Sequence, residues 1–230
     1  MDRSRNVVIV LLGPPGSGKG THSAFLQEEL GIPAISTGEI LRAEVESQSV
    51  MGRRVEVAMR SGRLVGDHLV NRIVASRIGH REFEGGFLLD GYPRTADQAA
   101  FLDGHLTCMG MPAPLVLHLD CPDEVLVQRM TSRRFCAQCG RLYNLLFHPP
   151  VCPGRCDTDG SPLQQRLDDC EAVIRTRLEA YQRVAQPLIA WYRAGNYHRL
   201  DAARSAAHLH STLRRILSPL PSPELALACQ

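Results

Sequence analysis

A nine-residue glycine-rich loop constrains the fold of this chain more than any other feature. Residues 13–21 read Gly-Pro-Pro-Gly-Ser-Gly-Lys-Gly-Thr and directly follow the apolar run Val7–Leu12. A short, β-branched apolar run that ends in glycine is typical of a strand buried on both faces of a parallel sheet. Helical spacing follows from Gly20, and Gly31 ends it. The order strand, glycine loop, helix is that of a phosphate-binding loop.

The residues of this loop suit an anionic ligand. Glycines allow the backbone N–H groups to point inward at phosphate oxygens, and the N-terminus of the following helix adds partial positive charge. Lys19 contributes a full charge against the β and γ phosphates of a nucleotide. Gly20 stands where the general pattern has Ser or Thr, and Thr21 follows it. We therefore expect Mg²⁺ at this loop to be held mainly through water.

Apolar runs recur along the chain, and three of them end in an aspartate, at Asp90, Asp120 and Asp201. Helical stretches lie between these runs. Strands that alternate with helices predict an α/β fold with a doubly wound parallel sheet.

Two segments interrupt this alternation. Residues 36–65 have helical spacing throughout, whereas residues 132–169 are rich in Cys, Pro, Gly and Arg and have little helical period. Both are predicted insertions on a core made of residues 1–35, 66–131 and 170–217. The Pro- and Ser-rich residues 218–230 are interpreted as a flexible tail.

A long helix is predicted near the end of the core. The carboxylate of Asp168 would cap its first turn, and Glu171 would complete a capping box. One apolar face of this helix is marked by Val173, Ile174, Leu178 and Tyr181. Pro187 would kink or break it.

Composition narrows the class of partner. The 230 residues carry a net charge of +2, which is too balanced for a protein that coats nucleic acid. The early apolar run is far shorter than the ~20 residues of a membrane-spanning helix. Five of the eight cysteines fall between Cys136 and Cys170 without an export signal, which favours local metal binding over disulfides. We expect a cytoplasmic protein with neither a membrane nor a nucleic-acid partner.

The arginines form three groups that narrow the reaction. Phosphoryl transfer needs charge neutralisation around the moving group, and the planar guanidinium fork binds oxygens in pairs. Arg129 and Arg133 are four residues apart and are predicted to share one face of a helix that begins near Pro122. The groups are Arg129, Arg133 and Arg134; Arg166, Arg175 and Arg177; and Arg42, Arg63 and Arg94.

In combination, these motifs resemble those of adenylate kinases of the long-lid, bacterial type. The matching stretches are residues 13–21, Ile-Ser-Thr-Gly-Glu-Ile-Leu-Arg at 35–42, Phe-Leu-Leu-Asp-Gly-Tyr-Pro-Arg-Thr at 87–95, Arg-Arg at 133–134 and the Arg-x-Asp-Asp of 166–169. The resemblance covers about residues 6–217. It implies a P-loop kinase core, an AMP-binding insertion at 36–65 and a lid at 132–169, acting as a monomer on ATP and AMP to give two ADP.

The resemblance also implies site residues. ATP would be held by Gly16, Ser17, Gly18, Lys19, Gly20, Thr21, Arg129, Arg133, Leu142, Tyr143 and, through its backbone carbonyl, Arg204. AMP would be held by Thr37, Arg42, Arg63, Leu64, Val65, Gly91, Tyr92, Pro93, Arg94, Gln98, Arg166 and Arg177. The catalytic set would be Lys19, Arg94, Arg129, Arg133, Arg166 and Arg177. Asp90 and Glu39 would hold the waters of Mg²⁺, although the family more often has Asp where this chain has Glu39.

Two of these residues bear on the choice of base. The side chains of Thr37 and Gln98 can hydrogen-bond an adenine edge, which favours AMP over GMP. A helix cap for Thr37 and a surface amide for Gln98 are equally compatible with the sequence.

A repeated pattern in the proposed lid predicts a zinc site. Cys136-x-x-Cys139-Gly is followed by Cys156-x-x-Asp159-Gly, so each half supplies two ligands and a glycine for the tight turn. Cys152 is a rival third ligand, and a metal-free lid is the alternative. Cys108, Cys121, Cys170 and Cys229 are interpreted as free thiols. His118, within an apolar run, is interpreted as a core residue.

Three other functions stay open. The first is a nucleoside-monophosphate kinase with another donor or acceptor, namely GTP with AMP, or UMP/CMP. The second is a zinc-ribbon NTPase that binds nucleic acid, which the low net charge and few aromatic residues disfavour. The third is an inactive regulatory relative, which Lys19 and the arginines disfavour.

Overall fold

Five parallel strands form the central sheet of the computed structural model, which describes residues 6–218. In chain order the elements are β1 Val7–Leu12, α1 Lys19–Leu30, β2 Ala34–Ser36, α2 Thr37–Glu46, α3 Val50–Arg60, α4 Asp67–Ile78, a 3₁₀ turn Arg81–Phe83, β3 Gly86–Asp90, α5 Ala96–Cys108, β4 Leu115–Asp120, α6 Asp123–Thr131, β5 Arg133–Cys136, β6 Leu142–Asn144, β7 Leu163–Gln164, α7 Glu171–Tyr192, β8 Tyr197–Asp201 and α8 Ala206–Leu217. The sheet order is β2-β3-β1-β4-β8, with every neighbouring pair parallel. The predicted α/β fold with a parallel sheet is confirmed.

Helices cover both faces of this sheet. Side chains of a strand alternate between its faces, so Ile9 and Leu11 of β1 join one hydrophobic cluster while Val8 and Val10 join the other. The first cluster is completed mainly by α1, α6, α8 and the first half of α7. The second is completed by α4, α5 and the end of α7. Burial on both faces explains why the strands read as continuous apolar runs.

The strand register brings the ends of the strands to one edge. Leu11 lies opposite Asp90, and Leu12 lies opposite His118. The loops after β1, β3 and β4 therefore open side by side at the carboxyl edge of the sheet. This is the edge at which open parallel sheets bind ligands.

The segment after β2 contains a helix pair. The predicted helical stretch 36–65 consists of α2 and α3, separated at Ser47–Ser49, and a turn that follows Arg60. Ser49 caps α3, because its hydroxyl accepts a hydrogen bond from Gly52 N at 2.8 Å.

The cysteine-rich segment folds into a small antiparallel sheet of order β6-β5-β7. Phe135 lies opposite Leu142 on one side and Gln164 on the other. Its small core contains Cys136, Tyr143 and Cys156. The low helical content predicted from the sequence is confirmed.

The expected capping by Asp168 is wrong, and Pro187 does not break the long helix. The helix begins at Glu171, and its cap residue Cys170 makes no side-chain cap bond. The carboxylate of Asp168 instead accepts a hydrogen bond from Arg177 Nη1 at 2.9 Å, so an ion pair takes the group that was expected to cap. The helix also continues through Pro187 to Tyr192, where the buried Leu188 and Ile189 hold its last turns against the core.

Residues 219–230, and with them most of the predicted tail and Cys229, lie outside the described residues. None of the seven cysteines within residues 6–218 forms a disulfide. Within residues 6–218, no helix combines the length and the apolar content that a membrane crossing requires.

Candidate functional site

A large cleft of about 790 Å³ opens at the carboxyl edge of the sheet. Its walls come from the loop after β1, from α2 and the turn after α3, from the loop after β3, and from the small antiparallel sheet. It brings together the residues implied by the resemblance, including Glu39, Asp90 and Arg204, with one exception. The exception is Tyr92, which is fully buried beneath the cleft.

The glycine loop lies between β1 and α1, as predicted. Gly16 has φ +82, and a Cβ there would lie 2.8 Å from Cγ of Met130, so only glycine fits against α6. Lys19 begins α1, and its Nζ donates to the carbonyls of Gly13 at 2.8 Å and Pro14 at 2.9 Å. The free loop therefore holds its own ammonium in place by hydrogen bonds to its backbone.

Burial sets the ionisation of this ammonium. Desolvation lowers the pKa of Lys19 to about 8, although the nearby carboxylate of Asp90 acts in the opposite direction. The charges of Arg94 and Arg177 lower this pKa further. An anionic ligand at the loop would offset both effects, because it restores a partner for the buried charge.

Arginines form the opposite wall of the cleft. Burial lowers the pKa of Arg42, Arg94 and Arg177 and brings the pKa of Arg166 down to about 10. Neighbouring guanidinium charges also lower each of these four pKa values. Arg133 is one of these neighbours for Arg42, Arg166 and Arg177. These cations repel one another across the cleft, so an anionic ligand would relieve that repulsion.

Two carboxylates at the base of α7 hold part of this wall. Arg133 makes a two-point contact with Asp169, at 2.7 Å from Nε and 2.5 Å from Nη2. Arg177 Nη1 lies 2.9 Å from Asp168 Oδ2 and 3.7 Å from Asp169 Oδ1. Asp169 is fully buried, so this carboxylate orients both guanidinium groups from below.

The expectation that Arg129 and Arg133 share a helix face is wrong. Helix α6 ends at Thr131, and Arg133 lies in β5. Both side chains reach the cleft, but the turn at Ser132 brings them there and not helical spacing.

A glycine controls the position of Arg177 from the other side. Gly62 follows α3 with φ +72, and a Cβ there would lie 2.8 Å from Cγ of Arg177 and 3.0 Å from the carbonyl oxygen of Val173. The positive φ and this close approach both require glycine. The helix pair α2–α3 therefore meets α7 at the arginine itself.

The proposed base-reading residues are bonded within the protein. The hydroxyl of Thr37 donates to the carbonyl of Gly91 at 3.0 Å. The side-chain amide of Gln98, 2% exposed, donates to Asp67 and accepts from the backbone N–H of Arg94. Gln98 is thus a buried residue at the cleft wall, and the surface-amide alternative is wrong.

Sequence reasoning missed several residues of the cleft. Tyr181 was predicted only as part of the apolar face of the long helix. It lies one helical turn after Arg177 and lines the cleft, so helix periodicity could have indicated this position. Phe147 lines the cleft from the turn after β6, and the guanidinium carbon of Arg129 lies 5.8 Å from its ring centroid. No motif in the sequence points to Phe147. His118 is a core residue as predicted, with Tyr181 and Tyr197 hydroxyls on its two ring nitrogens.

A second candidate site lies in the small sheet. The ligand atoms of Cys136, Cys139, Cys156 and Asp159 all lie within 4.8 Å of one another. Sγ of Cys139 is 3.5 Å from Sγ of Cys156, close to the about 3.8 Å that two thiolates span on a tetrahedral Zn²⁺. Cys152 is outside this group.

The two halves of this second site have the same local geometry. Gly140 N donates to Cys136 O at 3.0 Å, and Gly160 N donates to Cys156 O at 2.9 Å. Both glycines have φ near +70. The predicted pair of knuckles is therefore present, with ligands that suit a closed zinc site.

The chain is similar to proteins of one family over most of its length. The family model described as "Adenylate kinase" matches residues 11–197. The "Adenylate kinase" of Thermosipho melanesiensis is 41% identical over 210 residues, which cover 91% of this chain and 97% of that protein. That of Ruminiclostridium cellulolyticum is 40% identical over 212 residues, with 92% and 98% covered. That of Thermotoga maritima is 45% identical over 195 residues, with 84% and 89% covered.

Proposed function

The chain belongs to the adenylate kinase family as a phosphotransferase acting on ATP and AMP, and we propose that the cleft described above is where it moves the γ-phosphoryl group of ATP to AMP, giving two ADP. The observation that carries this assignment is one cleft that joins a phosphate loop to a wall of mutually repelling arginines. Such a cleft can neutralise the phosphates of two nucleotides that face each other.

ATP would lie against the glycine loop. Its phosphates would accept from the backbone N–H groups of Gly16–Thr21 and replace the carbonyls of Gly13 and Pro14 as partners of Lys19. Its base would lie between Arg129 and the loop at Ala203 and Arg204, with Leu142 and Tyr143 above.

AMP would lie on the opposite side. Its phosphate would meet Arg42 and Arg94, and its base would reach Thr37, Gln98 and the turn Arg63–Val65, which share this wall of the cleft. Arg94 is already directed by its Nε, which donates to Gly91 O at 2.7 Å. Tyr92 would act from below, because its hydroxyl lies within hydrogen-bond distance of Asn71 Oδ1 and the Gln98 carbonyl and contacts no ligand itself.

Arginines between the two nucleotides would stabilise the transferring group. Arg133, Arg166 and Arg177 would bind the equatorial oxygens, where negative charge spreads during transfer. The reaction requires the acceptor oxygen of AMP in line with the γ phosphorus, so positioning supplies most of the catalysis and no side chain need act as a base.

Closure would exclude water from this reaction. We propose that residues 36–65 and 132–169 are the two flaps and that residues 1–35, 66–131 and 170–217 are the core on which they move. If the flaps left water in the cleft, ATP hydrolysis would compete with transfer.

Mg²⁺ accompanies ATP in this family and supplies additional charge neutralisation at the β and γ phosphates. Asp90 and Glu39 both line the cleft and would accept hydrogen bonds from its waters. In the lid, Cys136, Cys139, Cys156 and Asp159 would hold a structural zinc ion.

Substrate choice tests the proposed function. We expect ADP formation from ATP to be fastest with AMP among the four nucleoside monophosphates, because Gln98 lines the cleft where the acceptor base would lie. ATP should also exceed GTP as donor to AMP. A coupled assay of diphosphate formation, with and without Mg²⁺, measures both preferences.

Two controls separate transfer from side reactions. ATP without acceptor reports hydrolysis, and this rate should be a small fraction of the transfer rate. A faster reaction with UMP, CMP or GMP, or with GTP as donor, would replace the AMP assignment by another monophosphate kinase.

Gly62 provides a test of the arginine wall. We expect Gly62→Ala to lower kcat/KM about ten- to a hundredfold, because the new Cβ would displace Arg177 from the phosphates. The positive φ should also cost about 1–3 kcal/mol of unfolding free energy. Steady-state kinetics and thermal unfolding measure the two effects.

Gly66→Ala is the matched control in the same loop. Gly66 has φ −58, and no heavy atom lies within 4 Å of the position that an alanine Cβ would take, so a methyl group fits there. Its kinetics should match those of the unaltered protein. A folded Gly62→Ala protein with unaltered kinetics would show that Arg177 does not depend on this contact.

A further inference from the structure

Both ends of the Gln98 side-chain amide are hydrogen-bonded within the protein, and these bonds bear on which base the cleft accepts. Its Nε2 donates to Asp67 Oδ1 at 2.8 Å, and its Oε1 accepts from Arg94 N at 2.7 Å. Gln98 lines the cleft, whereas Asp67 lies behind it at the first position of α4. The second oxygen of Asp67 accepts from the hydroxyl of Thr95 at 2.7 Å, which in turn accepts from Gln98 N.

These partners dictate which end of the amide is oxygen. An ionised carboxylate only accepts hydrogen bonds, and a backbone N–H only donates. The NH₂ group must therefore face Asp67 and the oxygen must face Arg94. Rotating the amide by half a turn would place donor against donor at Arg94 and acceptor against acceptor at Asp67.

We propose that Asp67 is a positioning residue that makes the acceptor site select adenine over guanine, by fixing the order of donor and acceptor on Gln98. This inference rests on the proposed function, in which Gln98 meets the base of the monophosphate. Adenine presents an N6 donor beside the N1 acceptor, whereas guanine presents the O6 acceptor beside the N1 donor. An unrestrained glutamine can rotate to match either base, but the restrained one matches a single order.

Guanine would then be rejected by repulsion. In the position where adenine pairs with Gln98, guanine would oppose oxygen to oxygen and N–H to N–H. Unpaired polar groups in a buried site cost much binding free energy, so the rejection is strong. Asp67 exerts this effect without touching the nucleotide.

Asp67→Asn tests the proposal, since an amide can accept or donate and retains the shape of Asp67, so that Arg94 N–H alone still favours one orientation of the Gln98 amide. We expect the ratio of kcat/KM for AMP to that for GMP to fall by about tenfold or more, with the KM for AMP raised and the KM for ATP unchanged. Asp97→Asn is the matched control. It removes the same charge from the first turn of α5, one residue before Gln98, but its side chain is outside the cleft.

Gln98→Ala distinguishes a failure of this inference from a failure of the proposed function. If Gln98→Ala lowers the AMP to GMP ratio but Asp67→Asn lowers both activities equally, Asp67 only supports the fold and the inference is overturned while the proposed function stands. If neither variant changes the ratio, Gln98 does not meet the base, and the proposed AMP position fails together with the inference. If the Asp67→Asn protein does not fold, Asp67→Ser replaces the carboxylate by a small polar side chain at the start of the same helix. The same ratio of kcat/KM values is then measured.

Discussion

Lys19→Met should reduce phosphoryl transfer by roughly a thousandfold or more while the protein remains folded. The ammonium is the charge that the glycine loop holds ready, through the carbonyls of Gly13 and Pro14, for the phosphates of ATP. Loss of one preorganised charge-stabilising donor typically costs ~10²–10³ in kcat, and this donor carries a full charge. Coupled kinetics at saturating AMP measure the loss.

The fold should tolerate this substitution. Methionine has nearly the length of lysine, and desolvation already disfavours the charged form of Lys19 in the free protein, where its pKa is about 8. We therefore expect an unfolding temperature equal to or above that of the unaltered protein. Near-normal turnover of the Lys19→Met protein would contradict the role assigned to the loop.

Removal of the proposed zinc ion should unfold residues 132–169 and abolish activity. The small sheet has a core of three residues, Cys136, Tyr143 and Cys156, and two of them are proposed ligands. Structural zinc in small domains supplies about 10–16 kcal/mol of apparent binding free energy, far more than so small a core provides. The purified protein should contain about one zinc ion per chain.

Two cysteine variants make this test specific. Cys156→Ser should lose both the zinc and the protection of residues 132–169 from hydrogen exchange. Cys152→Ser, which alters an exposed thiol outside the ligand group, should keep both. Metal analysis and hydrogen exchange of residues 132–169 measure the outcome. A zinc-free protein that was never exposed to chelator, with the lid still protected from exchange, would refute the site.

The sequence predicts the parts of the cleft that depend on local pattern. The loop at 13–21 and the parallel strands follow from glycine spacing and apolar runs, because backbone conformation and burial on both sheet faces leave a local signature. The lid knuckles likewise follow from the spacing of Cys136, Cys139, Cys156 and Asp159, whose ligand atoms meet in the structure.

Contacts between distant segments were beyond prediction. The bond between Gln98 and Asp67 joins residues 31 positions apart on different helices, and neither residue type suggests the other. Asp168 was expected to cap a helix, but an ion pair with Arg177 competes for the same carboxylate. Tyr92 was placed in the site by its motif, although its ring is buried in the core. In each case tertiary packing selects among roles that the local sequence leaves equal.

The buried ammonium in the glycine loop has a practical consequence. Lys19 is the only lysine among the 230 residues, beside 25 arginines. An amine-directed acylating reagent therefore has a single side-chain target, and the pKa near 8 makes that target nucleophilic in mildly alkaline buffer. Acylation of Lys19, distinguished from that of the chain's α-amino group by peptide mass spectrometry, would count empty loops, and bound nucleotide would appear as protection.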